Sequence, residues 1–197
     1  MSLEFVGKLQ DIRKDGGAMM TRIGMTVAMF GVMVSSAVCV AQAPAAAPVG
    51  PAAEVQAAYN RIKPNVLKAA EKMPEADFQF KPTADIRTFA RIVNHVTEAQ
   101  FRVCSALNGE TADPKAVPSD TADKATVIAG LKASFAVCDK AYGALTDATI
   151  TEVLTMGPVK RTRIGAAWGN VSHDNEQYAE LSTYLRLKGI VPPTAEK

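Results

Sequence analysis

Two histidines are the residues of this chain best suited to metal or proton chemistry. Among the 197 residues, the only histidines are His95 and His173. His173 opens the stretch HDNEQYAELSTYLRLKGIVPP, which has the pattern of a last helix closed by glycine and proline. A helical metal site commonly places a second histidine four residues after the first, and this chain has Gln177 there. The pattern is compatible with a working metal site, with an altered metal site, or with a helix that has lost its metal-binding or catalytic role.

Helical periodicity gives each histidine an expected position. The apolar residues of the last helix lie on average well over a quarter turn from His173, which leaves the rim of a cleft or open solvent. His95 lies at the edge of its own apolar stripe, and Arg91 and Arg102 fall within about 40° of it. A single helical histidine is more often a surface or core residue than a ligand. The same helical spacing places Glu180 on the face of the last helix that carries His173.

Apolar residues recur at helical spacing in four segments. The expected helices span 53–72, 84–107, 121–145 and 163–188. Pro64 should kink the first helix or begin a second helical piece. Thr83 is the expected N-cap of the second helix, and Gly189 the residue that ends the fourth.

The connections between these helices indicate how the helices are arranged. The polar stretch 108–120, with two prolines, is a long connection between helices two and three. The stretch TDATITEVLTMGPVKR (146–161) holds the β-prone residues and predicts a short hairpin or an extended strap. The sequence therefore predicts an all-α fold, a four-helix bundle with a long connection between helices two and three.

Residues 1–43 are interpreted as an N-terminal extension and secretion signal. Arg22 precedes an apolar stretch at 23–40, and a small-residue cleavage pattern ends at Ala41 or Ala43. The stretch is marginal for a membrane span, so the only expected membrane contact is an uncleaved signal. The mature protein should be exported, with the periplasm as its expected location.

The rest of the chain divides into a spacer and a domain. Residues 44–53 are rich in proline and alanine and too poor in large apolar side chains to pack, whereas 54–193 should form the bundle. The formal net charge is +2, from 22 basic and 20 acidic residues that are intermixed. Aromatic residues make up only 6% of the chain, so we expect no nucleic-acid partner.

The expected mature chain contains two cysteines, Cys104 and Cys138. Cys104 follows His95 by nine residues, roughly 180° around a helix, and should not share a metal with it. In an oxidising compartment, two cysteines on neighbouring helices predict a disulfide. The alternative is a pair of buried free thiols.

Two segments together resemble one known superfamily. The stretches FKPTADIRTFARIVNHVTEAQFRVCSAL and AAWGNVSHDNEQYAELSTYLRLKGIVPPT are similar to those of DinB-like (DinB/YfiT) proteins, and the resemblance covers about 54–193. It implies a metal site with one ligand from helix two and an HxxxH pair from helix four. Carried over, these positions are His95, His173 and Gln177. Members resemble metal-dependent hydrolases and thiol-transferring enzymes, and often form dimers, so a homodimer is a possible assembly.

The departure from that pattern lies at Gln177. An amide oxygen binds Zn²⁺ or Ni²⁺ more weakly than an imidazole does. Glu180 is the possible carboxylate substitute, since two histidines and a carboxylate form a known ligand set. We therefore expect a weakly bound divalent metal in a hydrolase or thiol transferase with a degenerate site. The alternative is a non-catalytic bundle that binds an unknown small molecule or a protein partner in the former active-site cleft.

Overall fold

A computed structural model describes residues 49–196 of the chain. This range contains four α-helices, and a two-stranded antiparallel sheet lies between the third and the fourth. The helices are α1 (Pro51–Lys72), α2 (Phe89–Leu107), α3 (Lys124–Gly143) and α4 (Arg163–Leu187), and the strands are β1 (Val153–Met156) and β2 (Val159–Thr162). The predicted four-helix bundle is confirmed. The predicted secretion signal (1–43) and its cleavage site lie outside the described residues.

The first helix begins within the predicted spacer. Pro51 is the first helical residue of α1, and the Asp147 carboxylate accepts a hydrogen bond from the Ala52 N–H at 2.8 Å. The helix continues as one element through Pro64, which is exposed. The proline removes one backbone donor, and water can satisfy the freed carbonyl of Asn60 because that residue is exposed too. No helix among residues 49–196 is long and apolar enough to span a membrane.

The start of α2 differs from the prediction. The Thr88 hydroxyl, and not that of Thr83, caps the helix by accepting from the Arg91 N–H at 3.2 Å. The first two N–H groups of the helix, those of Phe89 and Ala90, donate to the carbonyls of residues 80 and 78 in the preceding aromatic segment. These bonds hold the first turn of α2 against that segment. Tertiary pairing of the backbone therefore moves the start five residues beyond the predicted bound.

The later elements follow their local signals closely. Asp123 caps α3 by accepting from the Thr126 N–H at 2.7 Å, so the helix begins three residues later than predicted. After α4, Gly189 has a φ of 72°, and the Ile190 N–H reaches back to the Leu185 carbonyl at 2.9 Å. This is a Schellman ending, which confirms glycine as the residue that closes the helix.

The segment between α3 and α4 forms a hairpin rather than a strap. Strand β1 pairs antiparallel with β2, from Val153 opposite Thr162 to Met156 opposite Val159. A two-residue loop joins them, in which Gly157 adopts a φ of 63°. Such a φ is strained for residues with a side chain, so glycine suits this position.

The core joins all four helices. Its largest fully buried side chains come from every one of them, and they are Tyr59, Tyr142, Phe89, Phe135, Met73, Ile92, Leu131, Leu181, Leu185, Gln100, Val55 and Val66. The rings of Tyr59 and Tyr142 stack at 4.0 Å between centroids, which joins α1 to α3. Cys104 and Cys138 form the predicted disulfide, with their Cα atoms 4.9 Å apart, and so link α2 to α3.

The cap of α2 yields a direct test of where this helix begins. Thr88→Ala should lower the free energy of unfolding by about 1 kcal/mol, because one partly buried helix-start N–H loses its acceptor. Thr83→Ala is the control and should change it by less than about 0.5 kcal/mol, as an exposed substitution does. Urea denaturation of both variants measures the difference. Equal losses would place the helix start nearer Thr83.

The disulfide should contribute a large part of the stability. The two half-cystines are 34 residues apart in sequence, for which the chain-entropy estimate is about 3–4 kcal/mol. Replacing both Cys104 and Cys138 with alanine should lower the free energy of unfolding by that amount in non-reducing urea denaturation. Each single variant should lose a similar amount, because either one breaks the bond. A double variant as stable as the parent would contradict the estimate.

Candidate functional site

The two histidines meet across the interface between α2 and α4. The rings of His95 and His173 lie 4.9 Å apart between centroids, and their planes are inclined at 66°. Their side chains are 28% and 22% exposed, respectively. The structure therefore brings together the two sequence-predicted nitrogen donors at a half-buried position, as expected for the rim of a cleft.

Several polar atoms around this pair lack a hydrogen-bond partner within the described residues. They include both ring nitrogens of His173, Oε1 of Gln177 and Nδ1 of His95, the last of which lies 3.5 Å from Oε2 of Glu98. Gln177 is only 4% exposed, one helical turn after His173. Leaving such atoms unpaired away from water is unfavourable, by about 1–3 kcal/mol each. We call His95, His173 and Gln177 the histidine pocket.

The donor set of the histidine pocket fits a divalent metal only in part. Two imidazole nitrogens suit Zn²⁺ or Ni²⁺, whereas the amide oxygen of Gln177 is a weak third ligand. Within the range 49–196, no group of three or more His, Cys, Asp or Glu side chains is placed to hold a metal. Glu180, the substitute expected from the sequence, is half-buried and does not complete such a group.

Nearby charges influence the protonation of His95. Burial, the positive charge of Arg87 and the neighbouring His173 ring lower its pKa, and they outweigh the opposing effect of Glu98. Glu98 is itself engaged by Arg91 through two hydrogen bonds, of 2.8 and 3.1 Å. The lowered pKa favours the neutral imidazole of His95, the form that can bind a metal.

Arg91, one of the two arginines expected near His95, is thus part of an ion-pair network. Besides Glu98, its Nε lies 3.5 Å from the carboxylate of Asp120. The other arginine, Arg102, lines a neighbouring cleft.

A layer of buried polar side chains supports the histidine pocket. The Asp174 carboxyl is fully buried and accepts from Gln100 Nε2 at 3.3 Å and from Asn170 Nδ2 at 3.4 Å. The Ser134 hydroxyl donates to Gln100 Oε1 at 2.7 Å. Burial raises the pKa of Asp174, although His173, whose Nδ1 lies 3.8 Å away, acts in the opposite direction. We call Gln100, Ser134, Asn170 and Asp174 the polar layer.

The sequence interpretation did not identify the polar layer. A signal was nevertheless present, since Gln100 and Asp174 occur at apolar positions of their helices. Gln100 follows Val96 by four residues, and Asp174 follows Val171 by three. A polar residue at such a position marks a buried, hydrogen-bonded group.

A cleft of about 800 Å³ opens beside the histidine pocket. Residues of α2, of the β1–β2 hairpin and of α4 line it, and they include Arg102, Met156, Arg161, Asn170 and His173. One of the two predicted nitrogen donors therefore faces a space large enough for a small molecule.

Comparison with known proteins identifies the family. The sequence profile of the DinB superfamily matches residues 58–181. Among solved structures, the chain is similar to a DinB-like protein from Bacillus cereus, with a TM-score of 0.60 and 13% identity over 71% of this chain and 93% of that one. It is also similar to a conserved protein from Enterococcus faecalis, with a TM-score of 0.57 and 16% identity over 71% and 98%, respectively. No curated protein sequence matches.

The surroundings of His95 make its titration testable. In EDTA, the carbon-bound ring protons of His95 should titrate with a pKa below the usual value of about 6.5. Arg87→Gln should raise that pKa, because it removes a nearby positive charge. Arg61→Gln, on α1, is the control and should leave it unchanged. Proton NMR resolves two histidines readily, and His173→Gln assigns them. A parent pKa at or above the usual value would contradict this electrostatic interpretation.

Proposed function

Because the chain belongs to the DinB superfamily, we propose that its histidine pocket is a weak divalent-metal site of a hydrolase or thiol transferase. His95 and His173 supply the two nitrogen ligands, and Gln177 supplies the amide oxygen. A metal bound there would supply a Lewis acid that lowers the pKa of a coordinated water or thiol. The substrate would enter through the cleft that His173 lines.

The observation that carries this proposal is the contact between the two imidazoles with their unpaired nitrogens. Both nitrogens of His173 lack a partner among the described residues although they are shielded from solvent. A histidine kept for packing alone would be expected to donate one N–H to a carbonyl or carboxylate. The Asp174 carboxyl lies 3.8 Å from Nδ1, beyond a hydrogen bond but close enough to orient the ring once a ligand is bound.

The identity of residue 177 favours a second candidate. An amide in place of the third imidazole removes the strongest available ligand, which suits a bundle that retains the fold and binds a small molecule or protein without catalysis. Gln177 is buried, so its side chain fills the pocket instead of pointing into water. The two candidates differ in metal content, which can be measured.

The disulfide supports export as part of the same proposal. Cys104 and Cys138 are bonded, and structural disulfides persist in oxidising compartments such as the periplasm. The signal-like segment 20–43 points the same way.

Restoring the third histidine tests the metal site. The parent protein, purified without a histidine tag, should bind Zn²⁺ or Ni²⁺ weakly and carry well below one equivalent. Gln177→His should raise the affinity at least about tenfold, roughly 1.4 kcal/mol. Adding His95→Ala to that variant should abolish the gain, because α2 and α4 must both contribute. Titration calorimetry measures all three affinities.

Glu176→His is the matched control, since it adds a histidine to α4 one residue away, at an exposed position. It should give no comparable gain. If Gln177→His binds no better than the parent, the pocket does not assemble a metal site and the non-catalytic candidate is preferred. Stoichiometric metal in the parent that is lost in Glu180→Ala would instead identify a two-histidine, one-carboxylate site.

A further inference from the structure

The cleft beside the histidine pocket carries two guanidinium groups. Arg102 projects from α2 and Arg161 from β2, so the two belong to different elements that line the cleft. The arginines that form ion pairs within residues 49–196 are Arg91 and Arg163. The positive charges of Arg102 and Arg161 therefore have no acidic partner among the described side chains.

The acidic residue that lines the cleft does not offset these charges. Glu110 bonds to the ammonium group of Lys140 at 2.6 Å. The charge of that carboxylate is thus already compensated, and the net charge of the cleft lining is positive. An anion entering the cleft would meet two cations and no free carboxylate of the lining.

Gly169 allows Arg161 to lie against α4. A Cβ atom at this position would come within 2.9 Å of Nη1 of Arg161, a distance too short for an ordinary contact. Because Gly169 has no side chain, the guanidinium can fold onto the helix beside Asn170, which also lines the cleft. The arginine is therefore placed along the cleft wall, although arginine on an exposed strand commonly extends into solvent.

The remaining walls of the cleft are mainly apolar. They include Val103 and Ala106 of α2, Met156 and Val159 of the hairpin, and Ala166 of α4. A cleft with apolar walls and a few charged groups is typical of a site for an amphipathic small molecule. Arginine binds carboxylates and phosphates through paired hydrogen bonds, which selects the charged part of such a molecule.

We propose that this cleft binds a small organic anion, with its carboxylate or phosphate held by Arg102 and Arg161 and its apolar body against the hairpin. Binding does not depend on a metal, since every group named belongs to the protein. Only the further step, that the bound anion is the substrate of a reaction, rests on the function proposed above.

The test uses matched probes on protein that has been stripped of metal with EDTA and then dialysed free of it, so that failure of the metal site cannot affect the result and the chelator cannot compete for the cleft. Phenylacetate and phenyl phosphate carry the two candidate anionic groups, and phenylacetamide is the neutral counterpart. Titration of the full chain at low ionic strength, followed by calorimetry or by NMR, gives the three affinities. At least one anion should bind about tenfold more tightly than phenylacetamide, and the tighter anion identifies the preferred charged group.

Variants connect that preference to the two arginines. Arg102→Gln and Arg161→Gln should each weaken anion binding at least about fivefold and leave phenylacetamide unchanged. Lys160→Gln is the control, because it removes the same charge from the neighbouring residue of β2, which does not line the cleft. It should have less than a twofold effect. Gly169→Ala keeps the charge and displaces only the flexible end of Arg161, so it should weaken anion binding less than Arg161→Gln does.

Three results would overturn the proposal. The first is no measurable binding of either anion. The second is equal affinity for phenylacetamide and for both anions, which would show that charge is not recognised. The third is a loss in Lys160→Gln as large as in the two arginine variants, which would indicate attraction by overall charge and not by the cleft.

Discussion

The fully buried carboxyl group of Asp174 sets the geometry of the α2–α4 interface. A carboxyl group away from water is costly unless it is hydrogen-bonded, and Gln100 of α2 supplies one of its two donors. A helical slip of even one residue would separate these groups, so their bond fixes the register of the two helices. His173 directly precedes Asp174 in α4, and His95 lies five residues before Gln100. Their contact follows from the same constraint.

The link between α2 and α3 makes that register stable. The disulfide joins the two helices covalently, and Ser134 of α3 bonds to Gln100 about one turn away from it. Since Gln100 bonds on both sides, three helices share one polar contact inside a mainly apolar core. Such a shared contact favours a single arrangement over alternative packings of similar apolar faces, a specificity role that buried polar groups have in some proteins.

How far the sequence predicts this structure depends on whether the determining signal is local. The end of α4 at Gly189 and the hairpin depend on nearby glycines, so both could be anticipated. The start of α2 could not, because the backbone of residues 78–80 decides it by pairing with the first turn. The contact of His95 with His173 was expected from family resemblance. The apolar position of Asp174 hinted at burial, but carboxylates are usually exposed, and the donor from α2 that accompanies its burial is not visible in the local sequence.

The hairpin and the histidine pocket are encoded in different parts of the chain, with consequences for how such a protein can diversify. Residues 153–162 pair with each other in a short ribbon, and most of their side chains are exposed. Substitutions at the exposed residues 158–161 can reshape one wall of the cleft, whereas Thr162 caps α4, and Leu154 and Met156 pack against the core. The shape of this wall can therefore change while the positions of His95 and His173 stay the same.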